Sequence, residues 1–264
     1  MKVKYYANAC FSLFHDGLHI LCDPWLEGPA VAGGWTPFPP CRTRVKDLDR
    51  PDLIYISHIH SDHCEDLTLE KLDKTIPVLS LDRNPNFLKT RLERENFETI
   101  HWVPEGEVRE ILPGLRVETF GASYDHVAGE FVDSSVLFDF DGAIVLNCND
   151  NAPEQPFCED IAKRYPKIDL AFLPRGGGGG YPAMYGNLSE EEKITAAHKT
   201  IANYADIFTQ AIDILKPRVV VPVAGGYAIC GPLAEKVNRW QPRSLDATEI
   251  VAHHKQHGAF QTDI

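Results

Sequence analysis

The chain has 264 residues, 44% hydrophobic and 24% charged, which is enough apolar material for a substantial core. A formal net charge of −12 argues against nucleic-acid phosphates or an anionic membrane surface as general partners. No run approaches the roughly 20 consecutive apolar residues of a membrane span. Seven scattered cysteines without a Cys-x-x-Cys pair read as reduced thiols rather than a disulfide framework. Residues 1–6 lead straight into strand-like sequence without the apolar core of a signal peptide, so we expect a cytoplasmic protein.

Residues 10–14 and 18–22 alternate around the turn His15-Asp16-Gly17 and predict a β-hairpin. After Asp23-Pro24-Trp25-Leu26, the Gly- and Pro-rich stretch to Cys41 reads as a long surface loop. The apolar run 53–57 predicts a buried strand, 67–72 a short helix, 77–80 a strand and 87–95 a second helix. Further strands are expected at 99–103, 108–112, 115–120, 134–140 and 143–147, the last two joined at Asp141-Gly142. Residues 170–173 form another buried strand, followed by the glycine run 176–180. The longest helix is expected over 189–215. Ser189 and Glu192 form a capping box, Ile194, Ala197, Ile201, Tyr204, Phe208, Ala211 and Leu215 supply the apolar face, and Pro217 lies beyond the end. Residues 219–223 are a last buried strand. With no repeat and no clear linker, the reading is one α/β domain over 1–264, two mainly antiparallel sheets packed together with helices outside.

Three imidazoles and a carboxylate fall within six residues directly after a strand, in His58-Ile59-His60-Ser61-Asp62-His63. A strand end running into a loop turns such side chains toward one point. Imidazole nitrogen with carboxylate oxygen suits zinc, iron or manganese, whereas calcium and magnesium prefer oxygen shells. Asp150, just past the strand ending at Asn147, is placed to bridge two cations. His126 is the expected third imidazole, with Glu130 or Asp133 as alternatives. His15, His19, His101, His198, His253, His254 and His257 are assigned to ordinary hydrogen bonding, the adjacent pair His253-His254 being held in reserve.

Asp23, the histidine string and Asn147-Cys148-Asn149-Asp150 together resemble the metallo-β-lactamase superfamily. Further stretches narrow the likeness: Asp23-Pro24-Trp25-Leu26-Glu27-Gly28, Gly178-Gly179-Gly180-Tyr181-Pro182, and Pro222-Val223-Ala224-Gly225-Gly226-Tyr227. These resemble CMP-N-acetylneuraminate hydroxylase and related nucleotide-sugar hydroxylases, over about residues 5–240. The resemblance implies a metallo-β-lactamase αββα sandwich with two metal ions, iron first and zinc or manganese as alternatives. It implies His58, His60, Asp62, His63, His126 and Asp150 as ligands, Asp62 and Asp150 also serving catalysis. Arg175 and the glycine run, including Gly178 and Gly179, are candidate substrate contacts because bare backbone N–H groups approach an anion closely. Tyr181 and Tyr227 in the matching loops join them.

The expected substrate is a small polar molecule such as an N-acyl or nucleotide sugar. Two departures bear on mechanism. Many superfamily hydrolases place a last metal-binding histidine where this chain has Ala224-Gly225-Gly226-Tyr227, so the second metal site has fewer protein ligands or is empty. The hydroxylases carry a Rieske module built on two Cys-x-His-type pairs, which this sequence lacks, so electrons would come from a separate electron-transfer protein. Two readings follow: an iron-dependent oxygenase, or a hydrolase (lactonase, phosphodiesterase or amidase) using metal-activated water. A metal-binding scaffold without turnover is a third class, which the intact cluster disfavours.

Overall fold

The computed structural model describes residues 1–122, 132–243, 246, 248–250 and 252, so His126, Glu130, His253, His254 and His257 lie outside the described residues. Strands β1 (Lys2–Ala7), β2 (Cys10–His15) and β3 (Leu18–Cys22) form an antiparallel meander. Strand β4 (Trp35–Pro37) leaves this sheet, which continues through β5 (Leu53–Tyr55), β6 (Val78–Asp82) and β7 (Ile100–Pro104), all parallel to β3. The second sheet contains β8 (Val108–Leu112), β9 (Leu115–Phe120), β10 (Ser135–Phe140), β11 (Ala143–Asn147), β12 (Leu170–Pro174) and β13 (Val219–Val223), in the order β13-β12-β11-β10-β9-β8. A short strand β14 (Tyr227–Ile229) pairs with β4 as a separate ribbon.

The expectation of mainly antiparallel sheets is corrected, because both sheets are mixed. Antiparallel pairs come from tight turns, as at Asp16-Gly17 and Asp141-Gly142, where all four residues have positive φ. Parallel pairs need a crossover. Helices α1 (Asp66–Lys71) and α2 (Phe87–Arg94) supply crossovers in the first sheet. Helices α3 (Gln155–Arg164) and α4 (Glu190–Leu215) supply those of the second. A last short helix, α5 (Ala234–Asn238), packs beside β14. Helix α4 follows its sequence signals: Ser189 and Glu192 form the reciprocal capping box, and Lys216 ends it in the left-handed region. The stretch after Leu26 expected to be a surface loop is partly interior, since Ala30 and Pro37 are buried and β4 is paired.

Strand alternation sorts the core into layers. Leu53 and Tyr55 face the space between the sheets, where Phe11 stacks on Phe172 with ring centroids 3.8 Å apart. Ile54 and Ile56 face outward, toward Leu69, Leu88 and Leu92 of α1 and α2. Ile144 and Leu146 face α3 and α4, while Val145 between them faces the other sheet. The result is helix, sheet, sheet, helix. No helix among the described residues is long and apolar enough to cross a membrane.

Candidate metal centre and adjoining cleft

Loops from both sheets meet at one rim: Asn8 in the β1–β2 turn, Asp23 past β3, Ser57 to His63 past β5, Asp150 past β11, Arg175 past β12 and Ala224-Gly225-Gly226 past β13. Hydrogen bonds tie these ends together. Asp23 N–H donates to the Tyr55 carbonyl, Ala224 N–H to that of Asn8, and Arg175 N–H to that of Val223. Asn8, Asp23 and Asn149 all have left-handed backbones, with φ of 51°, 41° and 44°. Asn and Asp tolerate that conformation better than other side-chain-bearing residues. Ala224, at φ 61°, lacks that excuse and bears its strain under the Asn8 bond.

The orientation of the imidazoles follows from donors and acceptors. Asp23 is fully buried and accepts from the Ser57 N–H at 2.7 Å, the Ser57 hydroxyl at 2.9 Å and His63 Nδ1 at 3.0 Å. Having donated its one proton to Asp23, the Ser57 hydroxyl accepts from His58 Nδ1 at 2.8 Å. Both His58 and His63 therefore carry hydrogen on Nδ1 and present the lone pair of Nε2. Those two Nε2 atoms lie 3.7 and 3.3 Å from Asp150 Oδ2. Outer hydrogen bonds of this kind fix tautomer and ring direction in metal-binding histidines. His60, which is exposed, brings Nδ1 within 2.8 Å of His58 Nε2. Asp133 Oδ1 lies 3.7 Å from the same nitrogen.

Asp62 Oδ2 is 3.5 Å from His63 Nε2 and accepts from Asn8 Nδ2 at 3.1 Å, while Asn8 Oδ1 accepts from Gly226 N–H. Asn149 holds the Asp150 loop in place: its side-chain amide donates to the Ser134 carbonyl at 2.7 Å, and its Oδ1 accepts from Asp150 N–H.

The electrostatics are those of a cation cage. Burial drives His58 down to about 3, so it stays a neutral base. Burial acts the same way on His63, but Asp150, Asp62 and Asp23 together outweigh it and hold that ring's affinity for a proton well above normal. Asp150 is held below the usual carboxylate range: burial opposes this, and His63 and His58 prevail. Burial raises Asp23 despite its bonds to His63 and Ser57.

Two groupings have donor atoms all within 4.8 Å of one another: His58, His60 and Asp133, and His58, His63 and Asp150. His63 Nε2 and Asp150 Oδ1 are buried without a hydrogen-bond partner. Polar atoms are rarely buried unsatisfied, and a site of lone pairs with excess carboxylate suits a bound cation. The residues fit a metal centre. His58, with one nitrogen to offer, would serve only one of the two groupings, and Asp150 Oδ2 lies beside the offered nitrogens of both His58 and His63. Of the six residues expected as ligands, five converge here, and His126 is outside the described residues.

The expected substrate residues divide. Arg175, Gly225, Gly226, Tyr227, Phe38 and Gln241 line a cleft of about 640 Å³. Tyr227 stacks on Trp35 at 4.0 Å, and its hydroxyl accepts from the Gly179 N–H at 3.1 Å. A side chain at Gly178 would meet the Trp35 ring at 2.7 Å, so that position is bare because an aromatic ring lies against it, whereas Gly179 has open space around it. Tyr181 is exposed and lines a separate groove with Leu188, Ser189 and Thr195. Asn8 and Ser57 escaped sequence reasoning as site residues. Ser57 could have been found from its place between a buried strand and His58, but nothing local marks Asn8.

Residues 2–224 match the model of the beta-lactamase superfamily domain. The chain is 33% identical over 236 residues to cytidine monophosphate-N-acetylneuraminic acid hydroxylase of Xenopus laevis, covering 85% of this chain and 38% of the relative. It thus spans about two fifths of that relative's length. Igni18, a metallo hydrolase from the archaeon Ignicoccus hospitalis, shares the fold with a TM-score of 0.67 at 20% identity, over 99% of this chain and 93% of its own. CmlA, a diiron beta-hydroxylase from Streptomyces venezuelae, gives 0.65 at 18% identity, over 99% of this chain and 52% of its own. With a matching family model over most of its length and a histidine–aspartate centre at the rim of an αββα sandwich, the chain belongs to the beta-lactamase superfamily and is an enzyme of the metallo-β-lactamase fold.

Proposed function

We propose that the protein is a non-haem iron oxygenase that hydroxylates a polar metabolite, such as an N-acyl or nucleotide sugar, with a separate electron-transfer protein as reductant. The observation carrying this reading is the ligand set His58, His63 and Asp150, two imidazoles and one carboxylate within 4.8 Å, a combination that leaves positions open on iron. When bound, iron supplies activation of dioxygen, and zinc would instead supply a water of lowered pKa. Per turnover, one oxygen atom enters a substrate C–H bond and the other leaves as water, consuming two electrons and two protons.

The residues' own work is separable. Asp23 and Ser57 orient His58 and His63. Asp62 and Asp150 hold negative charge against the centre, and Asn8 couples Asp62 to the glycine loop at Gly226. Arg175 and Tyr227 line the substrate side, with Gly179 and its neighbour Gly178 behind Tyr227, and a guanidinium in an acidic protein favours an anionic group there. The likeness to the hydroxylase over 85% of the chain and the Ala224-Gly225-Gly226 loop without a histidine support this reading. The hydrolase reading is supported by the same His58, His63 and Asp150 set, because zinc accepts two imidazoles and a carboxylate as readily as iron does.

Metal analysis after anaerobic purification separates them. Two irons per chain with a reducible absorption band support the oxygenase, and stoichiometric zinc with esterase or lactonase turnover supports the hydrolase. His60→Ala should lose most bound metal yet keep the fold, because His60 is exposed. Unchanged metal content in that variant would overturn the ligand assignment.

A further inference from the structure

One buried amide is bonded to the metal centre at one end and to the cleft at the other. Asn8 stands in the turn between β1 and β2 with only 2% of its surface exposed. Its Nδ2 donates to Asp62 Oδ2 at 3.1 Å, and its Oδ1 accepts from Gly226 N–H at 3.1 Å. The two partners fix which way the amide points, because a carboxylate accepts and a backbone N–H donates. The Asn8 carbonyl grips the same loop again, accepting from Ala224 N–H at 3.1 Å. Gly225 and Gly226 form part of the cleft wall with Arg175, and a Cβ at Gly226 would stand 3.6 Å from the guanidinium. On the metal side, the oxygen that Asn8 holds lies 3.5 Å from His63 Nε2. An aspartate at this position would set two carboxylates against each other, and an apolar residue would leave Gly226 N–H without its acceptor.

We infer that Asn8 is a positioning residue through which the Gly225-Gly226 wall of the cleft and the Asp62 carboxylate move together, so that a ligand settling on that wall changes how firmly the centre holds its ion. Two bonds tie Asn8 to the 224–226 loop and one ties it to Asp62, so a displacement of the loop carries the amide with it and reaches Oδ2. Coupling between separate sites travels through hydrogen-bonded chains of this kind. It is also reciprocal: the bound ion alters the affinity of the cleft for its ligand by the same factor. Metal and cleft ligand are therefore linked in binding although neither touches the other's residues directly. This inference rests on the metal-centre reading and adds a regulatory connection to it.

The test displaces the wall without any ligand, in the full chain, and reads cobalt(II) affinity by competition with a chelator. Gly226→Ala sets a methyl 3.2 Å from the Phe38 carbonyl, and its nearest neighbours are Phe38, Arg175 and Asn8 rather than a candidate metal ligand. Cobalt should bind this variant about threefold to tenfold less tightly, the range of coupling through such networks. Asn8→Gly keeps the left-handed backbone, which glycine adopts freely, and removes the amide. Its cobalt affinity should fall about tenfold, as when a residue that orients a metal ligand is lost. In the double variant the Gly226→Ala factor should disappear, because the connection is already cut. Two factors that multiply overturn the inference, since a merely structural asparagine would leave them independent. Wild-type affinity in Gly226→Ala overturns it as well, and either result leaves the centre standing. A wild-type chain that takes up no cobalt overturns the centre, and the inference with it. Should Asn8→Gly fail to fold, Asp62→Ala takes its place in the cycle, and a Gly226→Ala factor that persists there overturns the inference.

Discussion

The histidine side of the site and the glycine side are held in place by different physics. On the histidine side, Asp23 is closed off from water and gathers three hydrogen bonds that decide which nitrogen each ring presents. On the glycine side, Trp35 lies on Tyr227 and against Gly178, Tyr204 lies against Gly177, and Gly179 N–H donates to Tyr227. An imidazole must offer one particular lone pair, which only directional bonds can specify. A wall needs only the right volume. Loss of a few polar atoms should therefore damage the first side, and loss of bulk the second.

Asp23→Ala is the most severe way to break that contrast. It leaves His63 and Ser57 buried without their acceptor, and removing one member of a buried charged network costs about 3–5 kcal/mol. With the rings no longer oriented, metal affinity should fall about 10- to 100-fold. Urea unfolding and chelator competition measure the two effects. Metal binding as tight as in the wild type would show that the loop alone aims the imidazoles.

Trp35→Ala tests the other side. Trp35 is half-buried, so losing its stack on Tyr227 should cost about 2 kcal/mol, less than a fully buried tryptophan. Metal affinity should stay unchanged, because no hydrogen bond of the histidine network passes through the indole. A drop in both quantities would mean that the two sides are one unit and that the contrast is wrong.

How far each side was legible in the sequence follows from the same difference. Ligand chemistry is concentrated in His58-Ile59-His60-Ser61-Asp62-His63, so the polar centre stands out locally. Asp23 drew notice only through a family likeness, and Asn8 not at all, because its partners lie far along the chain, at Gly226 and Asp62. Strand alternation located most strands but says nothing of which neighbour each takes, which is why parallel pairing went unread. Helix α3 was missed because Pro156 in its first turn and few apolar positions, Phe157, Cys158 and Ile161, leave a weak period. Strands β4 and β14, three residues each, are too short to show any period.

The smallest expected effect sharpens what carboxylates do for a buried imidazole. His19 is buried like His63, but its Nε2 meets the Ser12 hydroxyl at 2.7 Å instead of a carboxylate. Burial, the dominant influence, pulls its pKa below the ordinary value, with the Arg50 backbone, Asp52 and Asp49 opposing only in part. The folded protein therefore takes up this proton less readily than the unfolded chain, whose histidines titrate near about 6.5. Stability linked to His19 is complete above that pH and declines as pH falls below it, by at most about 1.4 kcal/mol per pH unit. His63, surrounded by Asp150, Asp62 and Asp23, is shifted the opposite way. Comparing His19→Gln with the wild type by urea unfolding at pH 7 and pH 5, with chelator present throughout, isolates the contribution. The wild type should lose more stability between the two pH values than the variant. An equal loss in both would show that burial without a carboxylate bonded to the ring leaves its proton affinity unaltered, and the contrast with His63 would then have no basis.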